Sequence, residues 1–148
     1  MSLTNVFDIA GTGMNAQSIR MNTTASNLAN ADSASSSVDE TYRARKPWFE
    51  VLNQQTLALN QQDQFSELEA EFGHGVQVSG IVESDKPLQA RFQPDHPMAN
   101  EDGYVYYPNV NVVEEMTDMM SSSRSYQMNV EVMKTAKQML QRTLTLGQ

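Results

Sequence analysis

Two apolar stripes of heptad period, one at each end of the chain, limit what this sequence can fold into. Steps of four and three from Leu3 land on Leu3, Phe7, Ala10, Met14, Gln17, Met21, Thr24 and Leu28, and six of these eight are apolar. Near the other end the same stepping gives Met116, Met119, Ser123, Tyr126, Val130, Met133, Lys137, Leu140 and Leu144, seven of nine apolar or aromatic. A stripe of this period is the seam of a helix that lies along other helices, as in a coiled coil or bundle. The second stripe keeps its phase through Ser121, Ser122 and Ser123, which predicts one unbroken helix. At the helical rise, segments 3–28 and 112–146 would be about 40 and about 50 Å long.

End signals agree for the second helix. Asn111 and Glu114 have capping-box spacing after Pro108, and Gly147 stands where the helix should stop. Glu114, Glu115 and Asp118 fall in the first turns and Lys134, Lys137 and Arg142 towards the last, the favourable order for the helix dipole. The first helix is weaker. Gly11, Gly13 and a cluster of Thr and Asn disfavour a helix interior, so alone in water it is marginal and needs a partner.

That helix also lacks the charged outer face of a helix in bulk water. The first 31 residues hold only Asp8 and Arg20; the other polar positions are Asn, Thr, Ser and Gln. Uncharged amides and hydroxyls suit a helix contacted on several sides, where a fixed charge needs a partner or costs several kcal/mol.

Between the helices the pattern changes. Residues 33–39 read as a flexible Ser-rich joint. Residues 41–52 have extended character, and the Gln-rich 53–65 reads as a long loop. Segment 75–84 alternates around Gly80 and suggests a strand with a bulge; 88–93 alternates similarly. A turn-rich stretch follows, with Tyr104, Val105 and Tyr106 as a short strand. The expected fold is therefore mainly α with a small β-rich insertion, the long terminal helices packing as a coiled-coil-like pair or bundle in a helical assembly. Its parts are 1–32, an N-terminal assembly helix; 33–110, a linker and small β-rich region; and 111–148, a C-terminal assembly helix.

Composition narrows the functions. A chain of 148 residues makes one domain with a modest core, and ten Met against five Phe and one Trp favour adaptable packing surfaces. A formal charge of −8 argues against nucleic acid and anionic membranes, which need clustered Lys and Arg. Nine of the eighteen acids lie in 60–102, opposed only by Lys86 and Arg91, so the middle is expected to face solvent. With no cysteine there is no disulfide, thiolate nucleophile or Cys-based metal site. No apolar run is long enough to span a bilayer, and no basic-then-apolar N-terminus marks a cleaved secretory signal.

Catalytic readings fare poorly. Gly11 to Ala16 matches the Gly-x-Gly-x-x-Ala dinucleotide fingerprint with Asp32 at the expected distance, but the heptad phase passes through both glycines and no strand precedes them. The bland reading, small residues that let helices approach, is the better one. His74 and His96 have no companion ligand at metal spacing, and paired carboxylates such as Glu69 and Glu71 fit an acidic face. Asn22-Thr23-Thr24 is a chance glycosylation sequon. No catalytic residue, cofactor, metal or small-molecule substrate is expected.

Four stretches carry a family resemblance. "ASNLANADS" (25–33), with Ser26, Asn27, Leu28, Ala29 and Asn30, resembles the Asn-rich signature that closes the first helix of bacterial flagellar axial proteins of rod and hook. "PNVNVVEEMTDMMSSSRSYQMNVEVMKTAKQML" (108–140) is similar to their C-terminal signature, with its core at Arg124, Tyr126, Gln127 and Asn129. "YRARKPWFEV" (42–51) and "HPMANEDGYVYYPNVNVVEEM" (96–116) resemble the proximal-rod members in particular, whereas the Gln- and Glu-rich 53–72 departs from the family pattern. The resemblance implies a structural subunit of the basal-body rod, exported unfolded by the flagellar type III apparatus without a cleaved signal. Such subunits polymerise in the periplasm, through their terminal helices, into a tube that transmits torque and encloses the export channel. Implied partners are further copies, other rod proteins, the MS ring and the export gate. On that view Leu3, Phe7, Ala10, Met14, Met21, Leu28, Met116, Met119, Tyr126, Val130, Met133, Leu140 and Leu144 form subunit interfaces. Asn30 would close the first helix in a left-handed conformation. Competing readings are another small rod component, a free coiled-coil adaptor and a nucleotide-dependent oxidoreductase resting on Gly11–Ala16 alone.

Overall fold

A computed structural model describes residues 3–52 and 75–146 of the chain. In order, it contains α1 (Leu3–Ala29), β1 (Arg45–Val51), β2 (Val76–Glu83), β3 (Gln89–Phe92), β4 (Tyr104–Tyr107) and α2 (Val112–Leu146). The fold is mainly α with a small antiparallel β insertion. The Gln-rich 53–65, His74 and Gly147 lie outside the described residues, as do the side chains of Leu3 and Leu146.

Both helices follow the sequence pattern. α1 runs through Gly11 and Gly13 without a break, which removes the strand–turn–helix context a dinucleotide loop requires. α2 runs unbroken through the three serines for 35 residues. Asn111 caps it: its Oδ1 accepts the Val113 N–H at 3.1 Å, while its carbonyl accepts the Glu115 N–H at 3.0 Å. Glu114 and Glu115 occupy the first turn, but the last turn holds no basic residue, Arg142 standing just before it. α1 does not end on a left-handed Asn30, since no described non-glycine residue has positive φ. Instead the Asn30 side chain donates to the Ser26 carbonyl at 2.8 Å, the same carbonyl that accepts the Asn30 backbone N–H at 3.2 Å.

The chain divides into two compact units, to each of which α1, α2 and the β1–β2 ribbon contribute. The first comprises Met1–Ile19, Phe49–Ser79 and Ser123–Gln148. Here Leu52 N–H donates to the Gly75 carbonyl at 2.9 Å, and Val76 N–H donates to the Thr12 hydroxyl at 3.3 Å, so strand β2 starts against α1. Gly75 has φ 144°, and a Cβ there would overlap the Thr12 side chain. Gly75→Ala should therefore cost about 2 kcal/mol or more in backbone strain and overlap, lowering the unfolding midpoint by about 5 °C. Gly80 has open space at its Cβ position and no positive φ, so Gly80→Ala should leave the midpoint unchanged or slightly raised. Thermal unfolding of the two variants side by side checks this.

The second unit comprises Arg20–Trp48 and Gly80–Ser122. β3 and β4 pair antiparallel, Gln89 opposite Tyr107 through Phe92 opposite Tyr104. Ser35 adds a bridge on the other side of Tyr106, exchanging backbone bonds of 3.0 and 2.9 Å with it. Residues 33–39, expected to be a flexible joint, are thus tied down: Ser35 is buried, and Thr41 Oγ1 donates to the Ser37 carbonyl at 2.6 Å. Val105, Pro108 and Val110 fill the small core beside this sheet. Ser84 N–H donates to the Ala44 carbonyl at 2.8 Å. From Ala44 to Leu52 is nine residues and from Gly75 to Ser84 is ten, so β2 carries one residue more than its partner, the expected bulge.

Candidate assembly surface

Among the described residues the buried apolar ones are few and mostly small: Ala10, Ala16, Ala44, Val105, Val110 and Ala136. Thr23, Thr24, Asn27, Glu115 and Ser122 are buried as well. On α2 the fully buried residues are Glu115, Ser122 and Ala136, seven residues apart or a multiple of it, with Asp118, Met119, Ser123, Ser125, Asn129, Val130 and Met133 half-buried around them. The three buried residues each lie one before a position of the sequence stripe (Met116, Ser123, Lys137), so the most buried line is shifted to the edge of the apolar stripe, which still contributes Met119, Val130 and Met133 to the half-buried margin. The cause is size. In the first unit Gly13 faces Asn129, and a Cβ on Gly13 would stand 2.8 Å from the Asn129 amide nitrogen; the Gly11 position faces the Met133 methyl at 4.0 Å. In the second unit Arg20 reaches Asp118 at 2.8 Å. Small and polar groups let the helices approach; a row of Met and Tyr would hold them apart.

The large apolar side chains are therefore left uncovered. Met116 is 49%, Met120 67%, Met128 63%, Val132 47%, Met139 55% and Leu144 67% exposed. Val113, Tyr126 and Leu140 are exposed too. Among the stripe residues of α1, Ala10 is buried and Phe7, Met14, Met21 and Leu28 are half-buried; on α2, Met119, Val130 and Met133 are half-buried. A helix apolar on several sides belongs inside an assembly, because a lone chain in water leaves that surface unburied. No helix among the described residues is long and apolar enough to cross a membrane.

The Asn-rich signature proves to be a clamp in the second unit. Asn27 is 1% exposed. Its Oδ1 accepts the Arg45 N–H and the Tyr42 hydroxyl, both at 2.9 Å, and its Nδ2 donates to the Arg45 carbonyl at 2.8 Å. The side-chain amide thus pairs with β1 as a neighbouring strand would, fastening the first strand residue to the last turns of α1. Ser26 Oγ lies 3.2 Å from the same Tyr42 hydroxyl. Asn109 repeats the device: Oδ1 accepts the Ala44 N–H at 2.8 Å, and Nδ2 donates to the carbonyls of Ser84 and Lys86 at 3.1 and 2.7 Å. Sequence reasoning missed Asn109 and Tyr42; the signal available was a lone Asn after a proline at a strand end. Of the C-terminal signature, Asn129 packs at Gly13, whereas Arg124 and Gln127 are exposed. Ala29 is exposed at the end of α1.

The remaining polar groups do not converge on a reaction centre. His96 Nδ1 accepts the Met98 N–H at 3.1 Å within a turn. Among the described residues no group of three His, Asp or Glu could hold a metal ion.

Short polar clamps inside and uncovered apolar helix flanks outside define a structural assembly subunit. Residues 7–34 match the model of the family "Flagella basal body rod protein", and residues 101–146 match "Flagellar basal body rod FlgEFG protein C-terminal". The chain is 44% identical to the flagellar basal-body rod protein FlgC of Salmonella typhimurium and 45% identical to that of Escherichia coli O157:H7, over 148 residues and the whole of both chains in each case. It is 32% identical to the FlgC of Bacillus subtilis over 157 residues, 99% of each chain. The chain belongs to the flagellar basal-body rod protein family. It is a structural subunit of the basal-body rod, not an enzyme, and it assembles with other rod and basal-body components.

Proposed function

We propose that this chain builds the proximal part of the rod, polymerising through its terminal helices into a tube that transmits torque and encloses the export channel. On this reading 1–32 and 111–148 are the assembly segments, and 33–110 is the linker and β-rich region between them. The subunit travels unfolded through the flagellar type III apparatus and assembles in the periplasm, bounded below by the MS ring and export gate. The supporting observation is the set of exposed Met, Val and Leu side chains on α2, on more than one side of the helix. Deleting the gene in its host should yield basal bodies that stop short of a completed rod, with motility restored by the full chain. Gold labelling of the complementing chain in isolated basal bodies should mark the base of the rod. Label on the hook or the cell body would refute the placement.

A further inference from the structure

The first unit carries two apolar surfaces on α2, on either side of the face turned to α1. One is a groove of about 460 Å³ lined by Val6, Met128, Glu131, Val132, Thr135, Ala136 and Met139. The other is a ridge made by Tyr126, Val130, Met133, Leu140 and Leu144, with Lys137 in its middle. Their centres lie roughly 140° apart around the helix, so one neighbour cannot cover both. They also occupy the same length of α2. Each apolar surface holds a single charge, and the two are opposite: Glu131 in the groove, Lys137 on the ridge. Among the described residues Glu131 pairs with the exposed Lys134 alone, at 3.6 Å, and no carboxylate pairs with Lys137.

We propose that the ridge of one copy seats in the groove of the next, with Lys137 paired to Glu131 across the contact. This rests on the reading of the terminal helices as assembly segments and names the occupant of one of their surfaces: a second copy of this chain. Charge complementarity selects that occupant, since burying either charge alone in an apolar contact is unfavourable and each surface supplies what the other lacks. The contact joins two different patches, so it is heterologous and leaves a free ridge and a free groove at the ends of any row of copies. Such a row grows laterally, as a tube wall requires.

The absence of cysteine makes the test clean. Glu131→Cys and Lys137→Cys are expressed singly, together in one chain, and as two co-expressed single variants; basal bodies are isolated, oxidised and run without reductant. The co-expressed singles should give a dimer and the double variant a ladder beyond dimer, while each single alone stays monomeric. Self-dimers of either single variant would overturn the pairing in favour of a two-fold contact. Monomers throughout, or a cross-link to a different rod protein, would also overturn it. In parallel, Glu131→Lys and Lys137→Glu should each reduce swimming by about tenfold, and the double reversal should recover most of the loss; failure to recover counts against the pairing. If Val130→Asp abolishes rods while the cysteines stay unlinked, this contact is wrong and the assembly reading stands. If Val130→Asp rods form normally, the assembly reading itself fails.

Discussion

Val130→Asp cells should make and export the protein in normal amounts yet fail to swim, with basal bodies halted before a completed rod. Val130 lies on the α2 ridge between Tyr126 and Met133, half-buried within its own chain and far from either helix end. In the free chain an aspartate there can stay hydrated, so synthesis and export have no reason to suffer. Once a neighbouring helix covers the ridge, the unpaired carboxylate costs about 3 kcal/mol or more, roughly two orders of magnitude in each association constant. The penalty recurs in every copy, and α2 cannot rotate the residue outward without moving Asn129 off Gly13. Gln64→Asp, in the acidic middle of the chain, is the control and should swim. Immunoblots of cell and basal-body fractions, with motility in soft agar, decide the outcome. A swimming Val130→Asp strain beside a non-motile control would overturn the reading of the terminal helices as assembly segments.

Asn27→Ala should loosen the second unit more than any other single change in the Asn-rich signature. Three bonds of 2.8–2.9 Å disappear, and the Arg45 N–H and carbonyl lose their partner in a part-buried place. Leaving such groups unmatched costs about 1–3 kcal/mol each, so a total loss of about 3 kcal/mol is expected, a large share of the about 5–15 kcal/mol that holds a domain together. The unfolding midpoint should fall by about 10 °C, and the Arg45 amide should lose its protection from hydrogen exchange. Asn22→Ala, at an exposed position of the same helix, should leave both readouts near the parent because alanine is the better helix former. Equal midpoints for the two variants would mean that the Asn27 clamp contributes nothing beyond its neighbours.

Sequence alone determined the two helices, their unbroken course, the Asn111 cap, the short strands and the extra residue in β2. These are local matters, set by the period of apolar residues, by side chains that bond their own backbone, and by the alternation of a pleated strand. The terminal signatures also placed the chain among flagellar axial proteins. What sequence could not decide is which face of each helix meets the other helix of the same chain. The heptad period marked Met116, Ser123 and Lys137 as stripe positions, yet the fully buried residues are Glu115, Ser122 and Ala136, one residue earlier. Close approach at Gly13 favours size over hydrophobicity, and that balance is visible only when both backbones are in place. The same holds for Asn27 and Asn109, whose partners lie 18 and 65 residues away, and for residues 33–39, whose Ser-rich composition signals flexibility until Ser35 finds Tyr106. A side-chain amide bonds whatever backbone the fold brings within 3 Å, and only the tertiary structure chooses which backbone that is.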